Sequence, residues 1–400
     1  MCYQDGHGGA FIGAKRLHHA LRNEGVDSTM LVRNKASEDP TVIQYKDNVT
    51  NLQKKFNSRI VSMIPEWKKI SQGTNSFNLR YTGVHQIINR SDADCVVMHW
   101  VGNDTISIRE LGLITKPIIW RLADMWAFSG SRHYSNDKEM KAVENSDPSV
   151  PAIDRLIWNR KINSWKSLDM KIVCGSEWLS SKARKSKILG SYESLTIPSS
   201  LDTKIFSPSE NGNYNKSTYP HSYRMLFGAH DAIHDTRKGF DLLVNSLALL
   251  KQKKPELNFE LKVFGHRKKE TLWFNDIKVE CDGYIKNEST LAKLYNDSDL
   301  FIIPSRADNL PFTAMESLSC GTPVVGFAVG GIPEIIDHKR NGFLAKPFDC
   351  KELSEGIAWT MKQLNDKKIN LRDNARKKAI KTYSYEAQAL SYINLAESII

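Results

Sequence analysis

The chain is predicted to be α/β, with two doubly wound domains of similar size joined near its middle. Three observations carry that prediction. Short apolar, β-branched runs alternate with amphipathic stretches, the pattern of parallel sheets clad in helices. The alternation stops once, in a Ser-, Asn-, Gly- and Pro-rich stretch between Phe206 and Pro220, and then resumes. The 400 residues also exceed the roughly 100–200 of one ordinary domain.

The elements follow in order. Gly8-Gly9-Ala10 opens an amphipathic helix, Ala14–Asn23, with Ala14, Leu17 and Leu21 on its apolar side and Gly25 as its stop. Ser28–Val32, Cys95–Trp100, Pro117–Leu122 and Lys171–Cys174 read as strands, and Ile197-Pro198 closes the first series. In the second series the strands are Tyr223–Phe227, Glu260–Phe264, Leu300–Ile303 and Pro323–Phe327. Its helices are Phe240–Leu250, Leu291–Asn296 and Thr313–Ser319. The predicted domains are therefore 1–205, 206–374 and a helical tail, 375–400, that packs back on the first domain. Before Gly8 stand only seven mostly polar residues, so the first strand of such a domain is expected to be missing.

Composition narrows the function classes. Hydrophobic residues at 40% and charged ones at 25% suit a globular chain and exclude disordered, collagen-like and disulfide-scaffold classes. No apolar run approaches the roughly 18 residues of a spanning helix, and residues 1–7 lack the apolar core of a signal peptide. A cytoplasmic location is expected. The six cysteines are scattered with no Cys-x-x-Cys, which suits buried thiols rather than a metal or disulfide framework. Net charge is +11, with +8 in residues 1–200 and +3 in 201–400. Such an excess fits nucleic acid, an anionic membrane or anionic substrates, and does not choose among them.

Three segments carry candidate chemistry. Gly8 and Gly9 sit where backbone N–H groups at a helix start reach a phosphate, and read equally as an ordinary turn. Arg237-Lys238-Gly239 places two cations at the start of a helix, against its dipole, which favours an anionic ligand such as a diphosphate over a solvated turn. Most informative is Ile303 to Glu316: an apolar strand, a loop with Asp308, Asn309 and Leu310, and a helix carrying Glu316 among apolar neighbours. A carboxylate there can accept sugar hydroxyls, and the loop N–H groups of Asn309 and Leu310 can serve a phosphate. Alternatively, Asp308 caps the helix.

The run Asp308-Asn309-Leu310-Pro311, Glu316, Cys320-Gly321-Thr322-Pro323-Val324-Val325-Gly326, Val329-Gly330-Gly331-Ile332-Pro333-Glu334 and Asn341-Gly342-Phe343-Leu344 resembles the retaining glycosyltransferases of family four, or group 1. Further matches, in order, are Gly8-Gly9-Ala10 with Arg16-Leu17-His18, His99-Trp100, Asp124-Met125-Trp126 with His133-Tyr134-Ser135, Asp202 to Pro208, and Arg237-Lys238-Gly239. The resemblance implies the GT-B fold, two Rossmann-like domains facing a central cleft. It also implies transfer of a sugar, with retention, from a nucleotide-diphosphate sugar to a hydroxyl of a glycan or lipid-linked glycan in surface polysaccharide synthesis. The donor is a co-substrate; no cofactor and no metal are implied. By the same resemblance Glu316 binds the ribose, Asp308 contacts the donor sugar, and Lys238 binds the diphosphate with Arg237 as its neighbour. Gly8 and Gly9 lie beneath the phosphates, and Asp124 and His133 are candidates for the catalytic set; His133 or His99 stands near the cleft in place of the histidine missing at Ala123, or else each is a satisfied structural histidine.

The chain departs from the family pattern at several places. Asp308 stands where Glu is usual, Ala123 precedes Asp124 where a histidine is common, and Ala229 follows Gly228 where relatives carry arginine. Together with the missing first strand, these keep a second reading open, a catalytically impaired relative acting as an accessory subunit. Asp92-Ala93-Asp94 and Asp297-Ser298-Asp299 resemble metal-diphosphate motifs, but each directly precedes an apolar strand and reads better as an acidic turn. Basic runs such as Lys182–Lys187 lack interleaved aromatics, so nucleic acid is not an expected partner. Asn51–Lys69, with Phe56, Ile60, Ile64 and Trp67 among lysines, is a candidate contact with the anionic inner membrane, or else an ordinary core-facing helix.

Overall fold

A computed structural model describes residues 1–6, 8–46, 75–209, 222–366 and 369–400. The candidate membrane segment Asn51–Lys69 lies outside the described residues. The chain forms two compact units, Met1–Ile197 with Ala389–Ile400, and Pro198–Gln388.

In the first unit the elements run β1 (Cys2–Gln4), α1 (Gly9–Asn23), β2 (Met30–Asn34), β3 (Val42–Gln44), α2 (Val84–Arg90), β4 (Val96–Met98), α3 (Ile108–Leu111), β5 (Ile118–Leu122), α4 (Asp137–Glu144), α5 (Ala152–Trp165), β6 (Met170–Cys174), α6 (Glu177–Lys185) and β7 (Ser194–Thr196). The expected absence of a first strand is corrected here. β1 pairs in parallel with β2, Cys2 opposite Val32 and Gln4 opposite Asn34. On its other side Tyr3 N donates to Trp100 O at 3.2 Å and His99 N to Met1 O at 2.9 Å. Backbone pairing on both edges is what a central strand needs, and it does not depend on apolar side chains. Only Cys2 need enter the small core of Ala14, Met30, Val32 and Val42. Read through β1, the parallel order is β3-β2-β1-β4-β5-β6-β7. That order reverses between β1 and β4, and ligands of such sheets bind at the carboxyl ends of the strands flanking the reversal.

The second unit holds β8 (Ser222–Gly228), α7 (Phe240–Lys253), β9 (Asn258–Phe264), β10 (Lys269–Phe274), β11 (Ile277–Gly283), α8 (Glu288–Asn296), β12 (Leu300–Ile303), α9 (Phe312–Ser319), β13 (Val324–Phe327), α10 (Ile332–Ile335), β14 (Gly342–Ala345), α11 (Cys350–Asp366) and α12 (Leu371–Tyr383). Its sheet order is β10-β11-β9-β8-β12-β13-β14. β12 shows why the apolar runs are continuous. Leu300 and Ile302 enter the core beneath α7 and α11, while Phe301 and Ile303 enter the one beneath α8, α9 and α12. Successive side chains point to opposite faces, so a strand covered on both sides is apolar throughout. The antiparallel β10–β11 hairpin was not expected; its turn residues Asn275 and Asp276 have φ of 47° and 61°, the left-handed pair of a tight hairpin.

The tail divides differently from the predicted 375–400. α12 belongs to the second unit, because Ala375, Ala379 and Tyr383 are buried in its core. Only from Ala389, within α13 (Tyr385–Glu397), does the chain join the first unit, where Tyr392 and Leu395 pack with Leu17, Ile119, Val173 and Ile197. The division between units likewise falls at Ile197/Pro198 rather than at 205/206, since Leu201 and Phe206 are core residues of the second unit.

Candidate active-site residues

In the second unit, two loops leave the carboxyl ends of β8 and β12 and lace together. Asp235 caps a single 3-10 turn over Thr236–Lys238, accepting from Arg237 N at 3.0 Å and pairing with its guanidinium at 3.0 Å. Arg306 N donates to Arg237 O at 2.8 Å, and the Arg237 guanidinium donates to Ala307 O at 3.1 Å. Gly239 has φ of 73°, and a Cβ there would lie 2.0 Å from Pro304 O, so only glycine lets the loops approach.

This lacing brings Lys238 Nζ to 2.6 Å from Asp308 Oδ2, with Arg237 3.9 Å from the other oxygen and Ser305 Oγ at 3.4 Å. The Lys238 and Asp308 side chains are only 16% and 10% exposed. Burial pushes the Asp308 carboxyl up, but Lys238 and Arg237 outweigh it and hold the group below the ordinary carboxylate value. From the far side Gly331 N donates to Asp308 O at 3.1 Å, and a Cβ on Gly330 would strike the same oxygen at 1.9 Å. Asn309 and Leu310 follow in the same loop, both buried, and Pro311 caps α9. Glu316 lies on α9, buried, and accepts from Tyr295 OH at 3.1 Å. Arg237, Lys238 and Asp308 thus meet, while Glu316 stands deeper on the helix.

In the first unit, Gly8 (φ 107°) is the N-cap of α1, whose helix starts at Gly9 rather than Ala14. Phe11 N and Ile12 N close its first turn on Gly8 O at 3.0 Å each. At the carboxyl end of β5, Asp124 Oδ2 accepts from His133 Nδ1 at 2.6 Å and from Trp100 Nε1 at 2.9 Å, while Oδ1 accepts from Trp126 N at 2.9 Å. The other ring nitrogen of His133 meets Ser76 Oγ at 2.9 Å. The imidazole stacks between the indoles of Trp100 and Trp126, at centroid distances of 5.2 and 6.4 Å. Asp124 and His133 line one shallow, open pocket with His99, Trp100, Ala123 and Trp126. Burial, the chain's amino group and Arg121 hold His99 well below the ordinary histidine value, so it is neutral.

Sequence reasoning missed what supports this pocket. Asp154 and Lys161, seven residues apart on one face of α5, grip the loop between Asp124 and His133. Asp154 accepts from Ser131 N at 2.7 Å; Lys161, fully buried, donates to Trp126 O, to Ser129 O at 3.2 Å and to Gly130 O at 2.8 Å. A buried lysine and aspartate at that spacing, between Ile157, Trp158 and Trp165, were the available signal. Of the Asp-x-Asp pairs, Asp299 accepts from Arg224 N at 2.9 Å. Among the described residues, no group of three His, Cys, Asp or Glu side chains is placed to hold a metal ion, and no helix is long and apolar enough to cross a membrane.

Comparison with known proteins finds a family match in the second unit and structural likeness along the chain. Residues 225–363 match the model described as glycosyl transferases group 1. Mannosylfructose-phosphate synthase of Agrobacterium fabrum is 33% identical over 131 residues, 30% of this chain and 29% of that protein. The first three curated relatives are matched over only 29% to 35% of their own length. Solved structures align over the whole chain. Sucrose-phosphate synthase from Thermosynechococcus elongatus does so with a TM-score of 0.65 at 18% identity, covering 100% of this chain and 95% of that one. Anabaena HepE in complex with UDP and glucose does so with a TM-score of 0.62 at 14% identity, covering 99% of each. The chain therefore has the GT-B fold, and its residues 225–363 match the glycosyl transferases group 1 domain.

Proposed function

We propose that the chain transfers a sugar from a nucleoside-diphosphate sugar to a hydroxyl of a glycan or lipid-linked glycan, with retention, in surface polysaccharide synthesis. The observation that carries this reading is the Arg237–Lys238–Asp308 cluster, built on strand-end loops beside the start of α9 and inside the family-matched residues. Lys238 and Arg237 meet the diphosphate oxygens, and the N–H groups of Asn309 and Leu310 add the dipole of α9. Glu316, braced by Tyr295, takes the ribose, and Asp308 takes a hydroxyl of the donor sugar. In the first unit Gly8 and Gly9 serve the phosphates, while Asp124 and His133 orient the reacting sugar or acceptor. HepE, which has this fold, was solved with UDP and glucose, consistent with a nucleotide-sugar donor.

In the transfer, the bond from the sugar's anomeric carbon to the diphosphate oxygen breaks. The acceptor oxygen then bonds that carbon from the same face and passes its proton to the leaving phosphate. Negative charge grows on the diphosphate, so fixed cations there stabilise the transition state more than the ground state. Incubating the chain with a panel of uridine- and guanosine-diphosphate sugars should release nucleoside diphosphate from one donor class. Absence of release from every donor, with added lipid-linked and free glycan acceptors, overturns the reading.

A further inference from the structure

The side chains of the donor-site cluster balance one another in charge. Arg237 and Lys238 bring two positive charges, and Asp235 and Asp308 bring two negative ones. A nucleoside-diphosphate sugar adds two more negative charges to a site whose net charge is zero. Lys238 cannot turn to the phosphates without weakening its 2.6 Å contact to Asp308. That carboxylate is not free to follow it or to reach water. Its side chain is 10% exposed, and its backbone is fixed by Gly331 N on its carbonyl oxygen at 3.1 Å, with Gly330 so near that a Cβ there would lie 1.9 Å from the same oxygen.

We propose that donor binding is coupled to protonation of Asp308: the phosphates draw Lys238 away, the buried carboxylate takes up one proton from solvent, and its new O–H is donated to the sugar. The balance is one proton gained by Asp308 per diphosphate bound, with no other bond made or broken. This rests on the donor reading above and deepens it. The aspartate, one methylene shorter than the glutamate of the family pattern, holds Lys238 directly.

Every charged group recorded around Asp308 bears on the coupling. Lys238 is the group removed. Arg237 stays 3.9 Å away, tied to Asp235, and limits the uptake to less than a full proton at high pH. Ser305 donates from the same loop; Arg306 is turned to Asp241, 2.6 Å away; and the 328–331 loop meets Asp308 through backbone. Glu316, on α9, is engaged by Tyr295. Without Lys238, burial is the dominant influence left on the carboxyl, and burial raises its pKa.

The test is calorimetric titration of the full chain with UDP-glucose and GDP-mannose, diphosphodiesters with no proton of their own to exchange near neutral pH. Each is run in several buffers of different ionisation enthalpy. We expect uptake of up to one proton per donor bound, affinity falling as pH rises by at most about tenfold per pH unit, and both effects lost in Asp308→Asn. Donor binding with no buffer dependence in the unaltered chain overturns the coupling and leaves the donor reading standing. Failure of both nucleotide sugars to bind the folded chain, with no shift in its thermal transition, counts against the coupling and the donor reading together. The unaltered chain decides the matter even where Asp308→Asn folds poorly.

Discussion

The two clusters of candidate residues are built from opposite materials. In the second unit, Arg237, Lys238, Asp235 and Asp308 form a network of ion pairs between two loops, and side-chain charge dominates it. In the first unit, Asp124 and His133 are held by indoles, a hydroxyl and backbone: Trp100, Trp126 and Ser76. A network of ions can trade one anion for another, which suits a charged ligand that comes and goes. A ring wedged between indoles keeps its orientation, which suits aiming a group at a reacting hydroxyl. Each cluster has a buried member, Asp308 in one and His133 in the other, but only the ionic cluster is poised to exchange partners.

The sharpest way to break that comparison is to remove a cation from the ionic cluster. Lys238→Ala should lower donor turnover by about 10²–10³-fold, the range for losing one preorganised charge-stabilising donor. It should also destabilise the unit, because Asp308 is left buried without its closest partner. Adding Asp308→Asn should recover much of that stability and none of the turnover. Turnover recovering along with stability would show that the pair is only a structural bridge.

Second in size are the supports. Gly330→Ala puts a Cβ 1.9 Å from Asp308 O at φ of 58°, so backbone strain alone costs about 1–3 kcal/mol and Asp308 must shift. In the first unit, Lys161→Met leaves the carbonyls of Trp126, Ser129 and Gly130 without their shared donor, at about 1–3 kcal/mol. Urea titration reads both. An unchanged midpoint for Lys161→Met would mean that the loop between Asp124 and His133 holds its own shape.

These clusters differed as much in legibility. The ionic one lies in two contiguous segments, 235–239 and 303–316, where residue type, spacing and a strand–loop–helix context coincide and single out Arg237, Lys238 and Asp308 as candidates, though not Asp235. What the sequence left open was their pairing, since the 2.6 Å contact of Lys238 and Asp308 joins residues 70 apart. The aromatic cluster draws Ser76, Trp100, Asp124, Trp126, His133, Asp154 and Lys161 from five segments, and no local pattern ties them together. Strand β1 failed to show for another reason: a strand's need is for backbone pairing, and apolar side chains advertise it only where both faces are buried. With that strand present, one ground for an impaired accessory chain is gone. The β10–β11 hairpin announced itself only by Asn275-Asp276 between half-exposed runs.

The smallest expected effect tests whether the first unit's reliance on neutral contacts extends to a second buried histidine, His18. His18 Nδ1 meets Ser28 Oγ at 2.8 Å and Nε2 meets Thr41 Oγ1 at 2.8 Å. Thr41 Oγ1 donates onward to Asp39 at 2.6 Å, so it accepts from Nε2–H, and Ser28 then donates to the bare Nδ1. A second ring proton has no acceptor while Ser28 keeps that orientation. Burial, then neighbouring His19, lowers the His18 pKa from 6.5 to about 4. The unfolded chain therefore binds the proton first as pH falls, and stability contributed by neutral His18 is present above pH 6.5 and lost between about 6.5 and 4. Asp39, whose pKa is lowered to about 2 by its bonds from Thr41, titrates below that window and does not blur it. His18→Gln should flatten the slope of urea stability against pH across the window, with little change below it. An identical slope in both proteins would mean that His18 takes up its proton equally readily folded and unfolded, and that its bonds to Ser28 and Thr41 do not hold it neutral.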